Sequence, residues 1–318
     1  MSWLEKSGTA YENGVPDGIL LVDKEAKVTS FDIVRKVRRL TGIKKVGHAG
    51  TLDPFSTGLL VVLLGQGTKL SPFLMAGKKR YRAEILLGIE TDTYDPDGRV
   101  VQENPVPDWK RSFIQEVLDG FIGEIEQVPP AYSAVRVQGI RAYKLARKGA
   151  EVELPRRKVI VHAIELLSMK LPRVIVDVVC SPGTYLRSLA FDLGRALETG
   201  AHLSALRRTA SGSHSVEDAV DSGLLDGGQG RLLVRERIVP LAESLPDMPK
   251  VRINEDLAAK IRNGYHPACE EIQPAREGPE VPGGRVQLLC DGELVAVIDT
   301  TPSAHSVGEN TKIIRVFN

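Results

Sequence analysis

The spacing of apolar and polar positions predicts a strand followed by an amphipathic helix near the start of the chain. Residues 19–22 are consecutive apolar residues and predict a short buried strand. Over residues 31–40 the apolar positions recur at helical spacing, namely at Ile33, Val34, Val37 and Leu40. The basic residues fall mainly on the other side, so we expect a helix that packs on a core and presents a basic face. Thr29 and Ser30 fit its N-terminal cap, and Gly42 fits its C-terminal end.

A continuous apolar run at residues 59–64 is compatible with two structures. It predicts either a buried strand or the core of a short helix, because periodicity does not separate the two over so short a run. The other predicted elements are strands at 80–88 and 174–179, helices at 111–120 and 185–198, the second ending at Gly200, and a loop from Gly47 to Pro54.

The composition changes near residues 226–230, which read Asp-Gly-Gly-Gln-Gly and are followed by prolines at positions 240, 246 and 249. Beyond them, short apolar segments alternate with Gly and Pro turns, including a loop at 274–284. The change predicts a main domain over residues 1–247 and a small β-rich module over residues 248–318. Two domains also agree with the length of 318 residues, because a domain averages roughly 150 residues.

Several classes of protein are disfavoured by the sequence. The longest apolar run, Leu59 to Leu64, is far shorter than the roughly 20 residues of a membrane-spanning helix. The first residues contain no apolar signal-peptide core. Cys180, Cys269 and Cys290 are widely spaced, which argues against a zinc site and against a disulfide framework. The predicted compartment is therefore a reducing cytoplasm.

The net charge of +1 is the sum of two opposite regions. The window from Arg35 to Arg82 contains 11 basic residues and one acidic residue, Asp53, so its local charge is +10 and the rest of the chain carries −9. A basic surface helix with a basic loop would explain this window, and so would a phosphate-binding surface. A second basic segment at 128–158 is interleaved with Tyr132 and Tyr143.

The single acid of the basic window lies in the segment from Gly47 to Pro54, which reads Gly-His-Ala-Gly-Thr-Leu-Asp-Pro. Its two glycines allow backbone turns that other residues resist, and Asp-Pro commonly starts a turn. Taken alone, this pattern favours a tight loop in which Asp53 caps a backbone N–H.

The longer segment GHAGTLDPFSTGLLVV, residues 47–62, closely resembles the active-site motif of the TruB family, the tRNA pseudouridine-55 synthases. Four further segments resemble that family in the same order. They are KKRYRAEILLG at 78–88, VPPAYSAVRVQGIRAYKLARKG at 128–149, CSPGTYLRSLAFDLG at 180–194 and GAHLSALRRTASG at 200–212. The resemblance covers most of residues 16–245, and the C-terminal module resembles a PUA-like RNA-binding domain more weakly.

The resemblance implies an α+β fold, with a large mixed, mainly antiparallel sheet flanked by helices and a C-terminal PUA-like β module. It implies isomerisation of uridine-55 in the T loop of tRNA after base flipping, with no metal and no cofactor. Asp53 is then the catalytic residue, and Arg187 is the arginine that pairs with it. A buried carboxylate has a raised pKa, and we expect the adjacent cation to reverse this shift. Otherwise Arg187 would be an ordinary arginine on a helix surface.

The resemblance implies roles for five further residues. Tyr81 is the active-site tyrosine, whose ring stacks on the base and whose phenol could transfer a proton, unless it is an ordinary core tyrosine. His48 fills the place of the flipped uridine. Tyr185 and Leu206 line the pocket, although Leu206 alone would be assigned to the core. Lys24 begins the segment Lys-Glu-Ala-Lys-Val-Thr-Ser, which lacks the Pro and Gly of the family pattern Lys-Pro-x-Gly-x-Thr-Ser, so ordinary backbone dihedral angles are expected there.

Segment 128–158 resembles the bacterial thumb that closes on the T-arm, which favours a stand-alone monomer that needs no protein partner and no membrane. Two alternatives stay open. One is a guide-RNA-dependent synthase of the dyskerin type, and the other is a factor that holds and remodels tRNA.

Overall fold

In a computed structural model, we describe residues 14–133, 136–137, 140–142, 154–272, 284–301 and 311–318. The strands are β1 (Gly18–Lys24), β2 (Val46–His48), β3 (Thr57–Leu64), β4 (Lys79–Leu87), β5 (Ile89–Thr91), β6 (Val100–Glu103), β7 (Gly123–Gln127), β8 (Arg136–Val137), β9 (Ile140–Arg141), β10 (Arg157–Lys170), β11 (Arg173–Cys180), β12 (Ala201–Ser211), β13 (His214–Ser215), β14 (Val220–Asp221), β15 (Val239–Pro240), β16 (Lys250–Arg252), β17 (Arg285–Cys290), β18 (Glu293–Asp299) and β19 (Lys312–Val316). The helices are α1 (Ser30–Thr41), α2 (Ser71–Ala76), α3 (Arg111–Asp119), α4 (Leu186–Ala196), α5 (Gly230–Arg237), α6 (Glu255–Arg262) and α7 (Cys269–Ile272).

One large sheet organises the main domain. Its strand order is β14-β1-β3-β12-β4-β11-β10-β7, with β15, β2 and β13 paired beside β1, β3 and β12. Its pairings are antiparallel except β1 with β14 and β3 with β12. Helices α1, α3 and α4 contribute to the apolar cluster on one face of this sheet. The predicted mixed, mainly antiparallel α+β fold is therefore confirmed.

The apolar run at residues 59–64 is strand β3, which settles the choice between a strand and a short helix. Leu60 and Val62 join the apolar cluster under the helices, whereas Leu59 and Val61 join a second cluster on the opposite face. Because successive side chains of a strand point to opposite faces, a strand buried on both sides reads as an unbroken apolar segment.

The second cluster joins the main sheet to the C-terminal part of the chain. Ile19 and Leu63 pack there with Leu289, Val297 and Phe317. The C-terminal part forms its own sheet in the order β16-β17-β18-β19, around a third apolar cluster. The predicted β-rich module is present, and it also contains α6 and α7, which the sequence pattern did not indicate. The domain boundary at residue 247 stays a prediction.

Two element boundaries differ from the sequence prediction. Helix α4 ends at Ala196, before Gly200, because Glu198 already adopts a positive φ of 58°. Gly47 and His48, predicted as loop, belong to β2, where they pair with β3. The predicted loop at 274–284 lies outside the described residues except for its last residue.

Helix α1 has the ends that its sequence predicts. Thr29 accepts a hydrogen bond from the Asp32 backbone N–H, and the Asp32 side chain accepts one from the Thr29 N–H, which forms a capping box. Gly42 closes the helix with φ 73°. The capped helix begins immediately after the turn at Lys24–Val28 and packs beside the loop that carries Asp53.

Candidate active site

The loop that carries Asp53 is fixed to the first helix by its own backbone. The hydroxyl of Ser30 donates to the Leu52 carbonyl over 3.1 Å and accepts from the Leu52 N–H over 2.9 Å. The N–H of Ala49 donates to the carbonyl of Val61 over 2.9 Å, which ties the start of the loop to β3. These bonds leave the Asp53 carboxylate directed toward α4, where it contacts Arg187 rather than capping a backbone N–H.

Arg187 lies in the first turn of α4 and is 4% exposed, so it is not a helix-surface arginine. Its Nε lies 3.0 Å from Asp53 Oδ2, and its Nη1 lies 3.0 Å from Asp95 Oδ2. The same guanidinium donates to the carbonyls of Thr93 and Tyr132. The predicted contact between Arg187 and Asp53 is present, and Arg187 is fixed from several directions.

The electrostatics of Asp53 differ from the expectation. Burial raises the pKa of Asp53, Arg187 opposes the rise, and the neighbouring Asp95 adds to it. The net pKa shift is upward, because burial together with the charge of Asp95 outweighs the effect of Arg187. The expectation that Arg187 would reverse the shift was therefore wrong. The Asp53 side chain keeps 37% of its exposure, so a substrate could reach it.

Tyr81 lies on β4 with its ring in the apolar cluster under the helices, and it is 9% exposed. Burial raises the pKa of its phenol, whereas the positive charge of Arg208 lowers it. Asp53 also acts on this pKa, which puts the phenol within electrostatic reach of the carboxylate. Tyr81 is thus both a core tyrosine and a neighbour of Asp53.

Lys24 is fully buried at the end of β1. Its ammonium donates to the carbonyls of Glu25, Val28 and Pro54, over 2.9, 2.7 and 3.3 Å. Burial lowers the pKa of Lys24 to about 8. Lys24 therefore holds the two loops around Asp53 together, and its predicted contact with substrate stays a prediction.

The turn after Lys24 corrects the expectation of ordinary dihedral angles. Lys27, at the position of the family's glycine, has φ 67°. Its N–H donates to the carbonyl of Pro54 over 2.8 Å, so the turn is fixed against the Asp53 loop. The left-handed geometry is retained although glycine is absent, because the hydrogen bonds around Lys24 and Lys27 determine the backbone.

The remaining predicted residues lie on neighbouring strands and at the start of α4. His48 is half-buried on β2, and burial, together with the charge of Arg208, lowers its pKa. Tyr185 is half-buried; its N–H donates to Gln127 Oε1 over 3.0 Å, and Gln127 Nε2 donates back to its carbonyl. Leu206 is half-buried on β12 against the cluster under the helices. Their predicted substrate contacts stay predictions.

Sequence reasoning missed three residues that support the site. Asp95 follows Tyr94 in an Asp-Pro turn, so it looked like an ordinary turn residue. Gln127 carries no charge and sits at the end of β7. Arg208 is one of two adjacent arginines on β12, and alternation along the strand was the available signal that one of them points inward.

The basic window does not form a single surface. Arg38 and Arg39 are exposed on α1, which packs on the face of the sheet that contains Tyr81. Arg80 and Arg82 alternate with Tyr81 along β4, so they point to the opposite face. In the segment at 128–158, Tyr143 and the basic residues from Lys144 to Lys148 lie outside the described residues.

No helix in the described part of the chain is long and apolar enough to cross a membrane. One group of side chains there has ligand atoms close enough to share a metal ion, namely Glu255, Cys290 and Asp291 in the C-terminal module. Two of the three are exposed, and the group lies outside the site around Asp53.

Comparison with known families gives matches over both parts of the main domain. Residues 38–186 match the TruB family pseudouridylate synthase (N terminal domain), and residues 187–229 match the tRNA pseudouridylate synthase B C-terminal domain. The chain is 41% identical over 311 residues to a tRNA pseudouridine synthase B of Geotalea uraniireducens, covering 95% of this chain and 98% of the relative. It is 46% identical over 255 residues to the Symbiobacterium thermophilum protein of that name, covering 79% and 83%.

Solved structures give similar folds at lower identity. A Cbf5-Nop10-Gar1 complex matches with a TM-score of 0.73 and 28% identity, covering 95% of this chain and 85% of that chain. An H/ACA RNP bound to a substrate RNA containing 2'-deoxyuridine matches with a TM-score of 0.71 and 26% identity, with the same coverage.

Proposed function

Because this chain belongs to the TruB family of pseudouridylate synthases, we propose that it isomerises the uridine at position 55 of the tRNA T loop to pseudouridine, with Asp53 as the catalytic residue. The observation that carries the assignment of Asp53 is its placement 3.0 Å from the fixed cation Arg187, in a loop that leaves the carboxylate accessible.

The reaction rearranges atoms without adding any. The N1–C1′ bond of uridine breaks, the uracil ring turns, and a bond forms between C5 and C1′. The C5 proton is released and N1 gains a proton, so product and substrate have the same composition. A carboxylate suits a nucleophilic first step, and attack at C1′, attack at C6 and a glycal route all use Asp53 in its ionised form.

The supporting residues follow from their positions. Arg187 and Asp95 orient the Asp53 carboxylate, and Tyr81 offers a ring and a phenol beside it. His48, Tyr185 and Leu206 are half-buried, so each keeps surface for a flipped nucleotide. Unstacking a nucleotide costs a few kcal/mol, which side chains that fill its place can offset in part.

We propose that the enzyme acts on the T-arm as a monomer in the cytoplasm and needs no guide RNA or protein partner. The support is identity of about 40% to relatives named tRNA pseudouridine synthase B, against 28% to the protein in the Cbf5-Nop10-Gar1 complex. Activity on a bare T-arm hairpin would eliminate the guided alternative. If the protein were inactive on the bare hairpin and became active when a guide RNA and partner proteins were added, the guided alternative would be supported.

The catalytic assignment is tested with Asp53→Asn and T-arm RNA labelled with tritium at uridine C5. Tritium release should fall to background, because the amide is neither a carboxylate nucleophile nor a base. Asp226→Asn is the matched control, since its carboxylate is exposed and pairs with Lys36 on α1. Unchanged tritium release by Asp53→Asn would overturn the assignment. The same variant should still accelerate tRNA folding if the chain also remodels tRNA.

A further inference from the structure

Arg208 is a buried cation at the centre of the main sheet. It is 2% exposed and lies on β12 directly opposite Tyr81 on β4 and Gly58 on β3. Among the described residues, no carboxylate lies within ion-pair distance of it, whereas its neighbour Arg207 binds both oxygens of Asp23. A buried charge without a counterion opposes folding, so its retention calls for a function.

The guanidinium of Arg208 donates hydrogen bonds to the backbone around Asp53. Its Nε donates to the carbonyl of Leu59 over 2.7 Å, and its Nη2 donates to the carbonyl of Gly50 over 3.0 Å. Gly50 lies three residues before Asp53, so Arg208 ties the Asp53 loop to the sheet. The backbones of β3 and β12 also lie close together at this point. A Cβ at Gly58 would lie 2.3 Å from the Arg208 carbonyl oxygen, so only glycine fits there.

Arg208 also acts on Tyr81. The two residues are direct partners in the antiparallel pairing of β12 with β4, so their side chains leave the same face of the sheet. Burial raises the pKa of the Tyr81 phenol, the positive charge of Arg208 lowers it, and the charge of Asp53 raises it. Arg208 and Asp53 therefore both lie within electrostatic reach of Tyr81.

We propose that Arg208 is a positioning residue of the active site, which fixes the Asp53 loop through Gly50 and holds a positive charge on the face of the sheet that contains Tyr81. Fixed charges in a buried site act strongly on charge that develops during a reaction. This inference rests on the proposed function.

The test compares Arg208→Gln with Arg207→Gln. Because Arg208 is buried away from any surface that RNA could contact, Arg208→Gln should lower kcat on T-arm RNA by about 100-fold and leave KM within about twofold. Arg208→Lys keeps the charge but loses the planar fork, and its kcat should fall between those of the wild type and Arg208→Gln. Arg207→Gln, which removes an exposed partner of Asp23, should leave kcat within about threefold.

A second measurement separates positioning from a purely structural role. Burial lowers the pKa of His48, and the charge of Arg208 lowers it further, so Arg208→Gln should raise that pKa in an NMR titration, and Arg207→Gln should not. A folded Arg208→Gln protein with wild-type kcat, or with an unchanged His48 pKa, would overturn the inference.

The wild-type protein provides the test if both Arg208 variants fail to fold. The Nε–H of Arg208 should then exchange with solvent much more slowly than the Nε–H of Arg207, because it is buried and donates to the Leu59 carbonyl, and equally fast exchange would overturn the inference. If the wild-type protein makes no pseudouridine, the proposed function fails, and the exchange measurement still reports on Arg208.

Discussion

Arg187 lies 3.0 Å from the carboxylate of Asp95, and this contact leaves a different nitrogen of its guanidinium for Asp53. Asp95 is buried in the turn after β5, and it holds the side chain of Arg187 through a nitrogen that Asp53 does not contact. It also adds negative charge near Asp53 and contributes to the raised pKa of that residue. Orientation of Asp53 and its ionisation are therefore linked through one arginine.

Asp95→Asn should separate the two effects. Removal of the Asp95 charge lowers the pKa of Asp53. The acidic limb of the pH–rate profile, where the rate rises as Asp53 ionises, should therefore move to lower pH. The plateau rate should fall by about 10-fold or more, since Arg187 loses a fixed partner. Single-turnover rates between about pH 4.5 and 8 measure both changes.

Asp97→Asn is the control for this prediction, because Asp97 is exposed in the same turn. It should leave the limb and the plateau unchanged. A limb that moves to higher pH in Asp95→Asn would contradict the electrostatic link between Asp95 and Asp53.

Lys27→Gly should stabilise the protein. Lys27 has φ 67°, and a left-handed conformation costs a residue with a side chain roughly 1–2 kcal/mol. Glycine removes that strain but gives the unfolded chain more freedom, so the free energy of unfolding should rise by about 0.5–1 kcal/mol. Urea denaturation measures the change. Ala26→Gly is the control, since Ala26 lies in the same turn without a positive φ, and it should destabilise.

The segment from Lys24 to Ser30 shows which structural features the sequence predicts and which it does not. Lys24, Thr29 and Ser30 were recognisable from residue type and order, and the capped helix that follows was predicted correctly. The left-handed turn was not, because glycine is the usual signal for it and this chain has lysine there. The hydrogen bonds that hold the turn run to Pro54, a contact that local spacing does not reveal.

The same limit applies to Asp53 and its neighbours. Motif resemblance identified Asp53, Tyr81 and Arg187, and the structure brings all three together. Arg208 reaches the site through the order of strands in the sheet, which pairs residues far apart in the chain, and Asp95 reaches it from the turn after β5. The pKa of Asp53 is raised because burial and Asp95 outweigh Arg187, and local sequence spacing reveals neither the burial nor the position of Asp95. The sequence therefore predicted the partner of Asp53 correctly and the direction of its pKa shift wrongly.

The buried ammonium of Lys24 should make stability depend on pH. Burial lowers its pKa from 10.5 to about 8, so the folded protein releases this proton more readily than the unfolded chain does. The cost of burying the charge is present below about pH 8 and is relieved as pH rises toward 10.5.

Lys24→Met isolates this contribution. The free energy of unfolding of the wild type, minus that of Lys24→Met, should increase by roughly 2 kcal/mol between about pH 7 and 10. Urea denaturation of both proteins at each pH measures the difference, and other titrating groups cancel. A difference that stays constant or decreases with pH would show that Lys24 is charged to the same extent in both states.

The two faces of the basic window should differ in RNA binding. Each phosphate contact adds about 0.7–0.9 to the slope of log affinity against log salt concentration. Arg39→Gln on α1 should reduce that slope by about that amount for T-arm RNA, since α1 packs beside the Asp53 loop. Arg80→Gln should leave the slope unchanged, because Arg80 points to the other face and pairs with Asp177. Equal loss of slope in both variants would mean that RNA contacts both faces of the sheet.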